Sequence, residues 1–306
     1  MPSLEALIAS DIEVVAVFTN PDRPAGRGMD LQPSPIKQAA VSAGVPVHQP
    51  EKVRDPEVEG SLEAMEPDVA VVVAYGKILP AGLLEIPRLG FVNVHFSLLP
   101  AYRGGAPVQR ALMDGVRETG VSIMVLTEGM DEGPVLATRA LEVGPEETAG
   151  EVGERLAGLG APLVVESLHA YASGELAPVE QDHSLATYAD KITSEGSKID
   201  WRSTSNEIKD FVRGLNPVPG AWTTLGGKRL KVHAVRPVRR SDLEPGALST
   251  DEGLMVGTGD GAVSLTEVQP AGKRRMSGEE LARGLRPSNL TSAYIDDTYA
   301  TQPESR

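Results

Sequence analysis

Four short runs rich in valine and isoleucine limit what this chain can fold into: "IEVVAVF" (12–18), "DVAVVVAY" (68–75), "GFVNVH" (90–95) and "VSIMVL" (121–126). Brief, nearly continuous apolar runs suit strands that are buried on both faces. Helix-like segments separate them near 35–43, 55–65 and 107–114. Ser34 is placed to cap the first of these helices. Pro107 is placed to open the last, where a fixed φ and a missing N–H do no harm. Strands alternating with helices imply an α/β domain with a mainly parallel sheet covered on both sides. A longer helix, expected from Thr148 to Ala172, closes that domain at about residue 173.

Residues 174–199 are polar, contain proline and carry no sustained period, so they read as a linker. From residue 200 to 306 the pattern changes. One amphipathic segment, "SNEIKDFVRGL", precedes several short strands and a closing helix in "KRRMSGEELARGL". That succession fits a small β-barrel or sandwich. The stretch "GTGDG" (257–261) lies between two apolar runs and reads as a hairpin turn rather than a phosphate loop. The chain opens on a helix-like "PSLEALIAS" ahead of its first strand. An open parallel sheet is normally built around a central first strand, so the sheet is expected to lack that strand.

Composition narrows the function. No cysteine is present among the 306 residues, which removes disulfides and thiolate metal sites, and the five histidines show no HExxH or similar spacing. No metal is therefore expected. No run approaches the roughly 18 apolar residues of a membrane span, and the N-terminus has no signal-peptide pattern. A cytoplasmic protein without a membrane partner is expected. The net charge of −14 argues against nucleic acid, but it is unevenly spread. Residues 1–199 hold 14 Lys/Arg against 29 Asp/Glu, whereas residues 200–306 hold 15 against 14. Three basic clusters sit in the latter: Lys228–Lys231, Arg236–Arg240 and Lys273–Arg275. Each alone is an ordinary solvated strand end or helix start. Together, in an acidic chain, they point toward phosphate contact.

The chemistry concentrates where "GFVNVH" runs into "FSLLPAYRGGAP" (96–107). Residues i and i+2 of a strand share a face, so Asn93 and His95 stand together at a carboxyl end, where parallel sheets hold their ligands. An imidazole exchanges protons near neutral pH, and an amide donates to an oxygen that is gaining negative charge. The pair suits stabilisation of an oxyanion. "LTEGMDEGP" (126–134), after the next strand, brings Asp131 to the same edge, where a carboxylate would orient His95 and favour its charged form. A structural histidine and a turn aspartate would look the same in sequence. Ser97, His95 and Asp131 also supply the residue types of a hydrolase triad, but no GxSxG elbow accompanies them. The loop "TNPDRPAGRGMDLQPSP" (19–35), with Arg23 and Arg27, is long for a connection in such a domain. It reads either as a surface excursion or as a basic finger for a phosphate backbone.

"NVHFSLLPAYRGGAPVQ" closely resembles the N-x-H…S-L-L-P signature of the folate-dependent formyltransferases. "FTNPDRPAGRG", "VVVAYGKILP", "GMDEGP", "TYADKI" and "LQPAGK" resemble the branch of that family that acts on tRNA, in the expected order over nearly the whole chain. The resemblance implies a Rossmann-like domain followed by an OB-like barrel. It implies transfer of the formyl group of 10-formyltetrahydrofolate to methionyl initiator tRNA by a monomer. Asn93 and His95 would hold the oxyanion, and Asp131 would tune His95 and help move the proton. Ser97, Leu98, Leu99 and Pro100 would line the folate site. Arg23 and Arg27 would meet the acceptor arm of the tRNA, and Lys228, Arg229 and Lys273 would contact it from the C-terminal domain. The family normally begins with a strand and a Gly-Thr-Pro loop, and Phe96 and Lys77 depart from its usual pattern. Another acceptor, hydrolysis of the donor, or silent binding of folate and tRNA are the competing readings.

Overall fold

The computed structural model describes residues 1–25 and 30–285. Two compact units divide them. The first comprises Met1–Pro107, Glu118–Glu142 and Gly153–Asp190. The second comprises Val108–Arg117, Val143–Val152 and the described part of Lys191–Arg306.

The strands run β1 (Val17–Phe18), β2 (Arg23–Ala25), β3 (Asp30–Gln32), β4 (Val47–His48), β5 (Ala70–Val72), β6 (Phe91–His95), β7 (Glu118–Val125) and β8 (Val135–Glu142). The helices of this region are α1 (Pro2–Ala9), α2 (Pro35–Ser42), α3 (Pro56–Met65), α4 (Ala81–Leu84), α5 (Pro107–Met113) and α6 (Ala149–Ser173). The local signals act as the sequence suggests. Ser34 caps α2 by accepting from the Lys37 N–H, and α5 opens at Pro107. Segment 12–18 forms a strand only at Val17–Phe18, because β4 offers just two partners, Val47 and His48. Ile12–Ala16 lies outside any strand, and Val15 is exposed.

Apart from the β2–β3 pair, the sheet of the Rossmann-like domain is in two parts. One part is the parallel pair β1–β4, and the other has the order β5-β6-β7-β8. Within it β5 and β6 are parallel, whereas β7 and β8 run antiparallel to their neighbours. An apolar run carries no sign of strand direction, so the sequence could not distinguish these. β8 was not foreseen at all. Its alternation, with Ala137, Arg139 and Leu141 half-buried and Thr138, Ala140 and Glu142 exposed, is that of an edge strand half in water. Helix α6 approaches the sheet closely at Gly160, where a Cβ would lie 3.0 Å from Val94 and 3.2 Å from Val121. A second apolar cluster, Val53, Leu62, Leu83 and Phe91, ties α3 and α4 to β6.

In the second unit, α7 (Ser205–Leu215) starts from a full capping box. Thr204 accepts from the Glu207 N–H, and the Glu207 carboxylate accepts from the Thr204 N–H. Strands β9 (Ala221–Leu225), β10 (Lys228–Val238), β11 (Leu248–Ser249), β12 (Met255–Gly257), β13 (Ala262–Pro270) and β14 (Met276–Ser277) form one antiparallel sheet, and α8 (Gly278–Gly284) follows. Its order is β11-β12-β13-β10-β9, with β14 on β13. Trp201, Ile208, Leu215, Leu230, Val232 and Leu265 lead its core. "GTGDG" makes the β12–β13 hairpin, where the Thr258 N–H donates to the Gly261 carbonyl.

Candidate active site

β6 lies between β5 and β7, pairing Asn93 with Val72 on one side and Met124 on the other. Its alternation turns Asn93 and His95 to one side, and the loop joining β7 to β8 turns Asp131 toward both. The amide Nδ2 of Asn93 donates to Asp131 Oδ1 at 3.4 Å, and His95 Nδ1 lies 3.7 Å from Asp131 Oδ2. His95 is buried, and its Nε2 lies 3.0 Å from the Tyr102 carbonyl. A carbonyl only accepts, so Nε2 carries a proton. Nδ1 faces the Asp131 carboxylate. The three residues read from the sequence are thus brought together.

Asp131 is held from the other side as well. Its Oδ2 accepts from the Gly104 N–H at 2.8 Å. Its backbone sits at φ +50°, a region that aspartate tolerates better than most residues. Two residues on, Gly133 admits no side chain, because a Cβ would lie 2.0 Å from the Val125 carbonyl oxygen. That close approach fixes the path of the loop.

The loop 97–100 folds back over β7. Ser122 Oγ accepts from the Leu99 N–H at 3.0 Å and donates to the Ser97 carbonyl at 2.7 Å. Ser97 is wholly buried, and its hydroxyl donates to the Ala101 carbonyl at 2.6 Å. That commitment removes it as a nucleophile beside His95. Ser97 fixes the loop, while Leu98, Leu99 and Pro100 stay partly exposed. The Leu99–Pro100 bond is cis.

The stem of the basic loop, the antiparallel pair β2–β3, sets Arg23 opposite Gln32. Arg23 is exposed, and Arg27 lies outside the described residues. The stem is anchored by Asp22, which meets Lys37 Nζ at 2.6 Å and the Gln49 amide at 2.8 Å. The hydrogen bond from Lys37, aided by that from Gln49, holds the Asp22 carboxyl below the usual carboxylate range. In the second unit Lys228, Arg229 and Lys273 are exposed. The Arg229 guanidinium stacks 4.0 Å over the Trp222 ring and donates to Ser194 Oγ. Lys77 finds partners in the Pro50 and Glu51 carbonyls, which explains a charge at an otherwise apolar position.

Four supports of the site escaped the sequence reading. Tyr102 and Gly104 act through backbone atoms, which leave no mark in a sequence. Ser122 did leave one, as a hydroxyl in the apolar run "VSIMVL". Gln181, whose Nε2 donates to the Asp131 and Gly133 carbonyls, gave none, because residues 174–199 read as a linker.

The Formyl transferase family model matches residues 3–168, and its C-terminal domain model matches residues 191–286. A methionyl-tRNA formyltransferase of Methylococcus capsulatus is 45% identical, over 92% of each chain. One from Roseiflexus castenholzii is 47% identical, again over 92% of each. The chain belongs to the methionyl-tRNA formyltransferase family. Among solved structures, the N-formyltransferase of Helicobacter canadensis in complex with folinic acid and dTDP-3-aminofucose shares the fold. It has a TM-score of 0.63 and 15% identity, over 89% of this chain and 94% of that one. No described helix of this formyltransferase is long and apolar enough to cross a membrane. No cluster of three or more metal-ligating side chains occurs among its described residues.

Proposed function

We propose that this chain transfers the formyl group of 10-formyltetrahydrofolate to the amino group of methionyl initiator tRNA, giving N-formylmethionyl-tRNA for translation initiation. The observation that carries the reading is the convergence of Asn93, His95 and Asp131, with separations of 3.4 and 3.7 Å, at one strand end. It is supported by family membership over nearly the whole chain.

The chemistry follows from the donors and acceptors present. The amine attacks the formyl carbon, and the carbonyl electrons move onto oxygen. Asn93 and His95 donate hydrogen bonds to that oxyanion, the kind of stabilisation that a preorganised site does best. The attacking nitrogen must shed a proton, and the carboxylate of Asp131 is the acceptor nearest to hand. When the oxyanion then collapses to a carbonyl, the bond to N10 of the folate breaks, and N10 takes up a proton in place of the formyl group. Leu98, Leu99 and Pro100 give the folate an apolar wall, and Ser97 serves that wall by fixing it from beneath.

On the acceptor side, Arg23 and Arg27 of the basic loop sequence, with Lys228, Arg229 and Lys273 of the second unit, contact phosphates of the tRNA. Such contacts add affinity without reading sequence. The enzyme acts as a monomer in the cytoplasm, where its tRNA is charged.

The test is transfer of labelled formyl from 10-formyltetrahydrofolate to methionyl initiator tRNA, run beside a sugar amine and an acceptor-free control. Product on the tRNA alone is expected. Transfer to the sugar amine, hydrolysis without acceptor, or binding of both substrates without turnover would each replace this reading with another.

A further inference from the structure

Of three consecutive residues, Tyr102 to Gly104, the outer two touch the site through their backbone. The Tyr102 carbonyl meets His95 Nε2, and the Gly104 N–H meets the Asp131 carboxylate. Between them stands Arg103, an arginine with only 1% of its surface exposed. Its side chain reaches Gln181. Arg103 Nε and Nη2 donate to Gln181 Oε1 at 3.1 and 2.8 Å. Nη2 also lies 3.2 Å from His183 Nδ1.

Gln181 spends its amide hydrogens on the loop that carries Asp131. Nε2 donates to the Asp131 carbonyl at 2.9 Å and to the Gly133 carbonyl at 2.6 Å. Those carbonyls belong to the left-handed Asp131 and to Gly133, which the Val125 carbonyl crowds. Arg103 fixes which end of the Gln181 amide faces the loop, since a guanidinium only donates and must meet the oxygen. Its charge also polarises the amide and strengthens the bonds that Nε2 makes. The backbone of Arg103 is tied in turn to the same segment, accepting from the Ala189 N–H at 2.7 Å and donating to the Thr187 carbonyl at 2.9 Å.

We infer that Gln181, oriented by Arg103, is a positioning residue for Asp131. It does not touch the substrates. It holds the backbone beneath the carboxylate while Gly104 holds the carboxylate itself, so that Asp131 faces Asn93 and His95 with little freedom. The segment 179–189 is in this account part of the catalytic apparatus. The inference rests on the proposed formyl transfer only for the role of Asp131 in turnover; the clamp stands on geometry.

The variant that tests it is Gln181→Glu. A carboxylate keeps the shape and the bond to Arg103 but offers an acceptor to two carbonyls that need donors. kcat for formyl transfer is expected to fall about 10- to 100-fold, the usual effect of losing a support behind a reacting group, with both KM values within about threefold of the parent. In an Asp131→Asn background the same change should cost less than about twofold, because the group it positions is already disabled. Loop peptides covering 126–134 should exchange amide hydrogen faster in Gln181→Glu, and other peptides at the parent rate. Arg103→Lys, which keeps the charge but loses the two-pronged contact, should show a smaller loss of the same kind, and it serves if Gln181→Glu does not fold. Unchanged kcat, or losses that multiply fully with Asp131→Asn, would overturn the inference. If the parent enzyme itself transfers no formyl group, the functional reading fails, and the exchange of 126–134 alone then decides whether the clamp exists. An unprotected loop in the parent would refute it.

Discussion

Replacing Gly120 by alanine adds one methyl group at a place where the structure leaves no room. The new Cβ would stand 2.4 Å from Leu98 Cδ2, 2.9 Å from Leu98 Cγ and 2.5 Å from the Arg139 carbonyl oxygen. Carbon atoms rest comfortably at about 3.5–4.0 Å, so the Leu98 side chain would have to retreat by roughly 1 Å or more. The Arg139 carbonyl cannot swing aside in the same way, because Arg139 is registered opposite Val121 in the β7–β8 ladder. Overpacking of this kind costs about 1–3 kcal/mol. For a unit of this size, each kcal/mol lowers Tm by about 2–4 °C, so a fall of about 2–12 °C in the first unit's transition is expected. Leu98 belongs to the wall proposed for folate. The KM for 10-formyltetrahydrofolate should therefore rise several-fold, while the KM for tRNA stays put. Calorimetry and steady-state kinetics on the same preparation measure both. A Tm within about 1 °C of the parent, together with an unchanged donor KM, would refute the packing argument and the placement of the loop.

Two further outcomes are expected. Burial pushes the His233 imidazole below its ordinary value, with Arg275 adding to the effect and the Gln269 contact opposing it, and its Nδ1 has no hydrogen-bond partner among the described residues. Below pH about 6.5 the unfolded chain takes up a proton that the folded one resists, so stability should drop as pH falls through that value and level off below the folded pKa. His233→Gln should reduce the difference in urea midpoint between pH 7.5 and 5.5, and an identical difference would count against it. Arg229→Gln should weaken tRNA binding evenly across sequences and lower the slope of log K against log salt by about one. It also removes the stack on Trp222, so a normal melting profile must accompany the result.

Much of this architecture could be read from the sequence, and the misses share a cause. Capping residues, proline at a first helical turn and the i, i+2 pairing of Asn93 with His95 are local, and local signals survived intact. Asp131 was reachable because it follows the next strand in a glycine-flanked loop. The antiparallel turn of β7 was not, since buried strands look alike in either direction. The truncated β1 was also out of reach, because strand length depends on what the partner offers. Arg103 was visible as the only arginine in a loop of proline and glycine, but nothing nearby announced that it is buried. Its partner, Gln181, lies 78 positions away. Ser97, expected from the resemblance to line the folate site, is buried and its hydroxyl donates to the Ala101 carbonyl, a pairing that nothing in the sequence marks.

The central claim is that the groups at the end of β6 stabilise the oxyanion of formyl transfer, and His95→Ala tests it most directly. Single-turnover transfer from 10-formyltetrahydrofolate to methionyl initiator tRNA should slow by about 10²–10³-fold, the cost of losing one donor to an oxyanion. Folate binding measured on the same protein should stay within about threefold, because Leu98, Leu99 and Pro100 are untouched. Transfer at the parent rate with folate bound normally would contradict the account.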